Sequence, residues 1–496
     1  MKSRDDLFQL IKSLSAAEKR NFKLYNDKNA APGNGNYELL FNLIEQQTIY
    51  DEKKVVKQLG NRNMTKQLSV SKHYLYNHIL KSLETFQYQK NADKKLNSYL
   101  DQIAILHERS LARQCKEIIE RAKKMALEFE DFKNLLKILD WERILLTEIV
   151  HDEYINEKLL KNQELYRFAI NQIATNNELA YLDSQMIILI KKRGIIRSTE
   201  DEQYFENIVQ QPILQQPEKF ELFKQLYYYH HIFSLYYFVK DKKTESFKHR
   251  EALLKLYNSH PKFIEENRKG YITALNNYIL VCQQTNKEDE FNWALEIIKK
   301  LKPATKEEQK NIAINITTQE LLYYYYSGNY TKATALSKDI EALLHQYNNN
   351  LNLSNKILFY FIFGCSYLKT KSYNNAIHYI NLLLDLPDAE LVEDLYRFSK
   401  IIQLVIHFEL GNFRLIESLS QSTKRLLKNE NKLFGVEKIM LEFFIAVSNQ
   451  NGVDKNNELL KIAYKRMKEQ LKNPFENRTL AYFNFTEWFE DKLNKK

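Results

Sequence analysis

Glycine and proline are scarce. Ten glycines and seven prolines in 496 residues fall far below the usual shares of about 7% and 5%. Sandwiches and barrels need turn residues every few positions, so this scarcity excludes them. Cysteine is rarer still: Cys115, Cys282 and Cys365 are too scattered for a disulfide framework or a zinc knuckle, which fits a reducing compartment. Long apolar runs are missing too. The most apolar stretch, ILFYFIFGCSYL (357–368), falls short of the roughly 18 residues that span a membrane. Asp5 and Asp6 stand where a signal peptide would need an apolar segment. A cytoplasmic protein with no membrane association is therefore expected.

Catalytic strings are absent as well. The only glycine cluster, PGNG (32–35), precedes no Lys-Ser/Thr, and neither His-Glu-x-x-His nor Gly-x-Ser-x-Gly occurs. His230 and His231 are adjacent, so on a helix they diverge by about 100°, whereas helical metal pairs favour i, i+4 spacing. His107 and Cys115 lie two helical turns apart, too far for a nucleophile–base pair. No catalytic residue, metal or cofactor is expected, and the chain does not read as an enzyme.

What is present is helix. The chain is 44% hydrophobic and 13% aromatic, ample for burial, and apolar residues recur at three- and four-residue spacing nearly throughout. In 115–150, Ile118, Ile119, Ala122, Met125, Ala126 and Phe129 share one stripe. Short polar breaks at 29–36, 191–201, 210–217, 345–355 and 448–457 separate the helices. The net charge of +10 is uneven: residues 1–95 hold 17 Lys/Arg against 10 Asp/Glu, and the rest 56 against 53. A local basic excess attracts polyanions, although a solvated helical surface also carries such charge. The Lys/Asn/Ile/Tyr-heavy usage suggests an AT-rich bacterial genome.

Five aromatics, Phe247, Phe291, Tyr330, Tyr373 and Phe413, mark candidate helical elbows at intervals of 44, 39, 43 and 40. Ala294, Ala333 and Ala376 follow the middle three by three residues, and Pro261, Pro303 and Pro387 close three of the units. Gly328 and Gly411 end the preceding helices, because glycine takes the left-handed cap conformation freely. The four tyrosines Tyr323–Tyr326 lead into one elbow and must point all around their helix.

The stretch 360–387 resembles a tetratricopeptide repeat. Gly364 and Tyr367 match the first helix, Tyr373 the elbow, Ala376 the second helix and Pro387 the terminal proline. The family period is about 34 residues, so these units are longer. Helical spacing and charge together predict an all-α chain that opens with a small basic helical domain (1–95), and the resemblance implies divergent hairpins (96–244) and then a right-handed solenoid with C-terminal capping helices (245–496). It also implies that first helices line an inner surface, with Thr318, Leu322, Tyr325, Phe361, Cys365, Leu368, Ile401, Val405 and Phe408 on it. That apolar face reads as a peptide groove or, alternatively, as an interior the long helices fill themselves.

In residues 62–86, QLSVSKHYLYNHILKSL resembles the turn and second helix of a helix-turn-helix, with a turn at Ser69 and Val70 and a cap at Ser71. Lys72, His73, Tyr76, Asn77 and Lys81 would then face nucleic acid. One uninterrupted helix over 64–88 is the competing reading. The leading expectation is a non-catalytic scaffold for a protein or peptide partner. The other is a nucleic-acid-binding regulator acting through residues 1–95.

Overall fold

The computed structural model describes residues 6–28, 34–60, 67–87, 91–148, 154–285, 287–303, 305–346, 351–387, 389, 393–430, 432–449 and 453–494. Among them every regular element is helical and no strand occurs. The breaks expected at 29–36, 345–355 and 448–457 lie partly outside the described residues. The chain divides into two compact units: Met1–Asn176 with His260–Arg268 and Lys300–Ala313, and Asn177–Ser259 with Lys269–Lys299 and Ile314–Lys496. This division does not coincide with the expected boundaries after residues 95 and 244.

In the first unit, α1 (Asp6–Ser13), α2 (Ala16–Lys28), α3 (Asn34–Glu45), α4 (Glu52–Leu59) and α5 (Leu68–Gln87) share one apolar core. Leu7, Phe22, Phe41, Leu75 and Ile79 are fully enclosed, and the Phe22 and Phe41 rings stack at 4.7 Å. Then come α6 (Ala92–Glu108), α7 (Ala112–Glu128) and α8 (Phe132–Glu148), each packed on the next and α6 also on α8. The first turns of α9 (Ile155–Arg193) follow. The unit is completed by α13 (Pro261–Glu266), whose Glu266 accepts the Ala92 amide at 2.8 Å and so caps α6.

The second unit contains α10 (Thr199–Val209), α11 (Phe223–Val239), α12 (Lys243–Ser259), α14 (Arg268–Gln284), α15 (Glu288–Lys300) and most of α16 (Lys306–Tyr326). It continues through α17 (Tyr330–Ala335), α18 (Ser337–Gln346), α19 (Leu353–Lys369), α20 (Tyr373–Leu384), α21 (Glu393–Glu409) and α22 (Phe413–Asn429). The last helices are α23 (Gly435–Ser448), α24 (Val453–Gln470), α25 (Pro474–Asn477) and α26 (Phe485–Leu493). From α19 to α24 each helix packs on its successor, and α19 with α21 and α21 with α23 also touch.

One elbow recurs. The amide of Leu111 donates to the Leu106 carbonyl, and equivalent bonds join Asp131 to Ala126, Lys242 to Tyr237, Lys287 to Cys282, Asn329 to Tyr324, Ser372 to Tyr367 and Asn412 to His407, all 2.8–3.0 Å. This reversed bond closes a helix end through a left-handed residue. At six of these ends that residue is Ser110, Glu130, Asp241, Gly328, Lys371 or Gly411, with φ between 52° and 74°. Four residues past each donor stand Cys115, Leu135, Ser246, Phe291, Ala333, Ala376 and Ile416, and all seven are buried. The second helix turns this position against the first. Gly364 lets α19 and α20 approach closely: a Cβ there would lie 2.5 Å from Ile380 Cδ1.

The structure revises the expected register. Tyr330, Tyr373 and Phe413 each begin a helix directly after the elbow. Phe247 and Phe291 stand a turn further in, so aligning all five on their aromatic displaced the first two units. The break at 191–201 is also not a solvated link: Ile196 and Asp201 are buried there and so is Arg197.

Candidate functional site

The expected apolar groove is filled. Leu322, Phe361, Leu368, Ile401 and Val405 are all buried, Val405 completely. Tyr325 and Phe408 are half-buried. The cause is the chain's own C-terminal segment. The Tyr325 hydroxyl donates to the Tyr482 carbonyl at 2.8 Å, and Phe408 packs against Trp488 with ring centroids 5.6 Å apart. Trp488 and Phe489 of α26 belong to the same core as Phe361 and Val405. These positions are core, which corrects the groove assignment. Tyrosines 323–326 divide as their helical spacing requires: Tyr323 stacks on Phe291 at 5.0 Å, Tyr325 points to Tyr482, and Tyr326 is exposed.

The helix-turn-helix reading is also corrected. α5 starts at Leu68 and runs unbroken to Gln87; the Ser71 amide donates to the Gln67 carbonyl at 3.0 Å, so Ser69 and Val70 form no turn. Residues 61–66 lie outside the described residues. Lys72 does not face outward. It is buried, its ammonium sits 2.8 Å from Glu52 and 4.9 Å from the Tyr50 ring centroid, and these partners hold its pKa above the ordinary value against the opposing effect of burial. Tyr76 is half-buried against the same core. His73, Asn77 and Lys81 are exposed and, four residues apart, share one stripe.

The groups with latent chemistry are structurally engaged. His231 Nδ1 lies 2.5 Å from Asp183, and His230 Nδ1 lies 3.0 Å from His249 Nδ1. Burial, aided by His230 and Lys248, pulls His249 down to about 4. His107 pairs with Glu148 at 2.9 Å, not with Cys115, whose thiol points to the Ile103 carbonyl. Burial pushes the Cys282 and Cys365 thiols up to about 12, which keeps them protonated and poorly nucleophilic. Among the described residues, no three His, Cys, Asp or Glu side chains are placed to hold a metal ion.

Sequence reasoning missed a buried ionic knot. Arg197 bonds Glu437 at 2.7 and 3.0 Å and Glu476 at 2.8 Å, while Glu476 also accepts the Gly435 and Val436 amides. The partners lie 240 and 279 residues along the chain, so no local pattern reveals them. Its carboxylates are bound from several sides, as a structural tie requires.

Two open surfaces stand out among the described residues. In the second unit, a basin of about 420 Å³ is lined by Trp293, Tyr278 and the carboxylates of Glu251, Asp289 and Glu290. Trp293 is 46% exposed and meets Tyr278 edge-on, centroids 6.3 Å apart. Lys255 pairs with Glu251, and Lys287 with Glu290. In the first unit, α7, α8 and the first turns of α9 enclose a chamber of about 360 Å³. Spacing alone could not locate either surface, because each is assembled from several helices.

No protein-family model matches the chain, and no curated protein is similar to it in sequence. Among the described residues no helix is long and apolar enough to cross a membrane.

Proposed function

We propose that this protein is a non-catalytic binding scaffold: a right-handed, tetratricopeptide-like solenoid of helical hairpins that holds a protein or peptide partner. The observation that carries this reading is the recurring elbow, whose donors Lys242, Lys287, Asn329, Ser372 and Asn412 follow one another at 45, 42, 43 and 40 residues. Such repetition of one hairpin is the hallmark of quasi-one-dimensional repeat proteins, which function mainly as extended binding surfaces. Since the inner apolar stripe is occupied by α26, the partner's place is an outer surface. The exposed Trp293 among three carboxylates suits a basic side chain of a peptide, through ring and charge together.

The test is affinity capture from a lysate of the source organism, with the full chain and with Trp293→Ala, each with and without nuclease. A nuclease-resistant protein partner, depleted by Trp293→Ala, is the expected result. Material released by nuclease, with log affinity falling linearly with log salt, would replace this reading with the nucleic-acid-binding one. The exposed stripe His73, Asn77 and Lys81 would then be its first contact to mutate.

A further inference from the structure

The chamber between α7, α8 and α9 has a polarity of its own. Its floor is apolar: Ile119, Leu145 and Leu146 are nearly closed to solvent, and Leu165 adds a half-buried wall. Its back is a satisfied polar network. Lys123 Nζ lies 2.6 Å from Glu142 Oε1 and 3.1 Å from Glu120, and the buried Asn162 amide donates to Glu142 Oε2 at 2.7 Å and to the Leu139 carbonyl at 3.0 Å. Its mouth is cationic: Arg113, Lys116, Lys158 and Lys161 stand around it.

The placement of charge points one way. Among the lining residues five are basic and two acidic, and both carboxylates already bind Lys123. Arg113 and Lys161 have i, i+4 partners in Glu117 and Glu157. These are solvent-exposed pairs of marginal worth, so they do not withhold the cations from a ligand. With Glu117, Glu157 and Glu164, which also acts on Lys161, counted, the charges are evenly balanced, so what favours an anion is their placement: the lining carboxylates are held by Lys123 while Arg113, Lys116 and Lys161 are exposed.

We propose that this chamber is a binding site for a small anionic amphiphile, an apolar chain or ring system ending in a carboxylate, sulfonate or phosphate. The apolar body lies on Ile119, Leu145 and Leu146, and the anionic head meets Lys116 and its neighbours at the mouth. The opposite orientation would take the head to Lys123, whose ammonium already has two carboxylate partners. The volume falls within the range of about 300–1,000 Å³ typical of small-molecule sites. A peptide helix would instead need an elongated groove with anchors a turn apart. The site does not depend on the scaffold reading.

Titration calorimetry of the full-length protein tests it, with dodecanoate as the probe below its micellar concentration and dodecanol and dodecylammonium as controls. Dodecanoate is expected to bind at least about tenfold more tightly than either control, a difference that narrows with salt. Ala112→Trp, at an exposed lining position, plugs the mouth and should abolish binding. Lys116→Glu with Lys161→Glu changes only exposed side chains, and should weaken binding at least about tenfold with the melting temperature retained. Equal binding of dodecylammonium, or wild-type affinity in the charge-reversed variant, overturns the proposal. An acidic amphipathic peptide that displaces dodecanoate and binds more tightly also overturns it, reassigning the chamber to a protein segment. None of these outcomes changes the Trp293 capture result, so the two readings fail separately.

Discussion

The hairpins α19–α22 and the helices α6–α8 use the same elbow and treat their apolar surfaces in opposite ways. In the first set the surface is closed: Phe361, Ile401 and Val405 are buried in a core that the C-terminal helix α26 completes. In the second set the floor of Ile119, Leu145 and Leu146 is just as buried, but a cavity of about 360 Å³ is left above it beneath a cationic mouth. The elbow controls how two helices meet. What covers their remaining faces is decided by distant chain, and it differs from one region to the next.

The sharpest way to break this comparison is to place a charge in each surface. Val405→Glu puts a carboxylate at a fully enclosed position within an apolar core. Burying an unpaired charge is among the most costly single changes. A loss of about 4 kcal/mol or more is expected, read as a collapse of the denaturation midpoint. Lys116→Glu on the open surface should cost less than about 0.5 kcal/mol. Comparable losses for the two would mean that the chamber is not open in solution.

A pH test is smaller and more local. His249 is held neutral in the fold, its pKa drawn from the usual 6.5 to about 4 chiefly by burial. A depressed base favours folding fully above its unfolded pKa, because the unfolded state alone takes up a proton as pH falls. Stability from this group is therefore lost between about pH 6.5 and pH 4, on the order of 2 kcal/mol. In the closed hairpin α11–α12, amide protection factors, referred to the intrinsic exchange rate at each pH, should fall at pH 5 relative to pH 7. His249→Phe should remove that fall, and a fall that persists in this variant would assign it elsewhere.

These contrasts also separate what was legible from what was not. Helix was legible everywhere, because the apolar spacing and the lack of glycine and proline act locally. Tyr330, Tyr373 and Phe413, read as elbow aromatics, do adjoin elbows, each as the first residue of the helix that follows, because short-range elbow chemistry surrounds them. Phe247 and Phe291 were misplaced by a turn, since an aromatic at an elbow and one a turn inside look alike without the cap. The groove failed for a different reason: nothing near Phe408 announces that Trp488, 80 positions on, will cover it. Lys72 failed likewise, because Glu52 and Tyr50 reach it from another helix. The chamber on α7–α9 was invisible because no single helix contains it.

The finest test asks whether the elbow itself is the common element. Gly411 and Lys371 occupy equivalent left-handed positions, with φ of 74° and 61°. Around Gly411 there is open space for a Cβ, so Gly411→Ala meets no clash and pays only for backbone conformation. A loss of about 1 kcal/mol is expected. Lys371→Gly runs the other way: relief of the left-handed conformation is offset by the greater freedom of an unfolded glycine, leaving a gain of a few tenths of a kcal/mol, about 0.5 at most. Opposite signs at the two sites, measured as shifts in chemical-denaturation midpoint, would establish that one backbone device with interchangeable residues sets the hairpin repeat. Equal signs would mean that Lys371 is held by its side chain, and the repeat would then rest on packing at Ala376 and Ile416 and not on the cap.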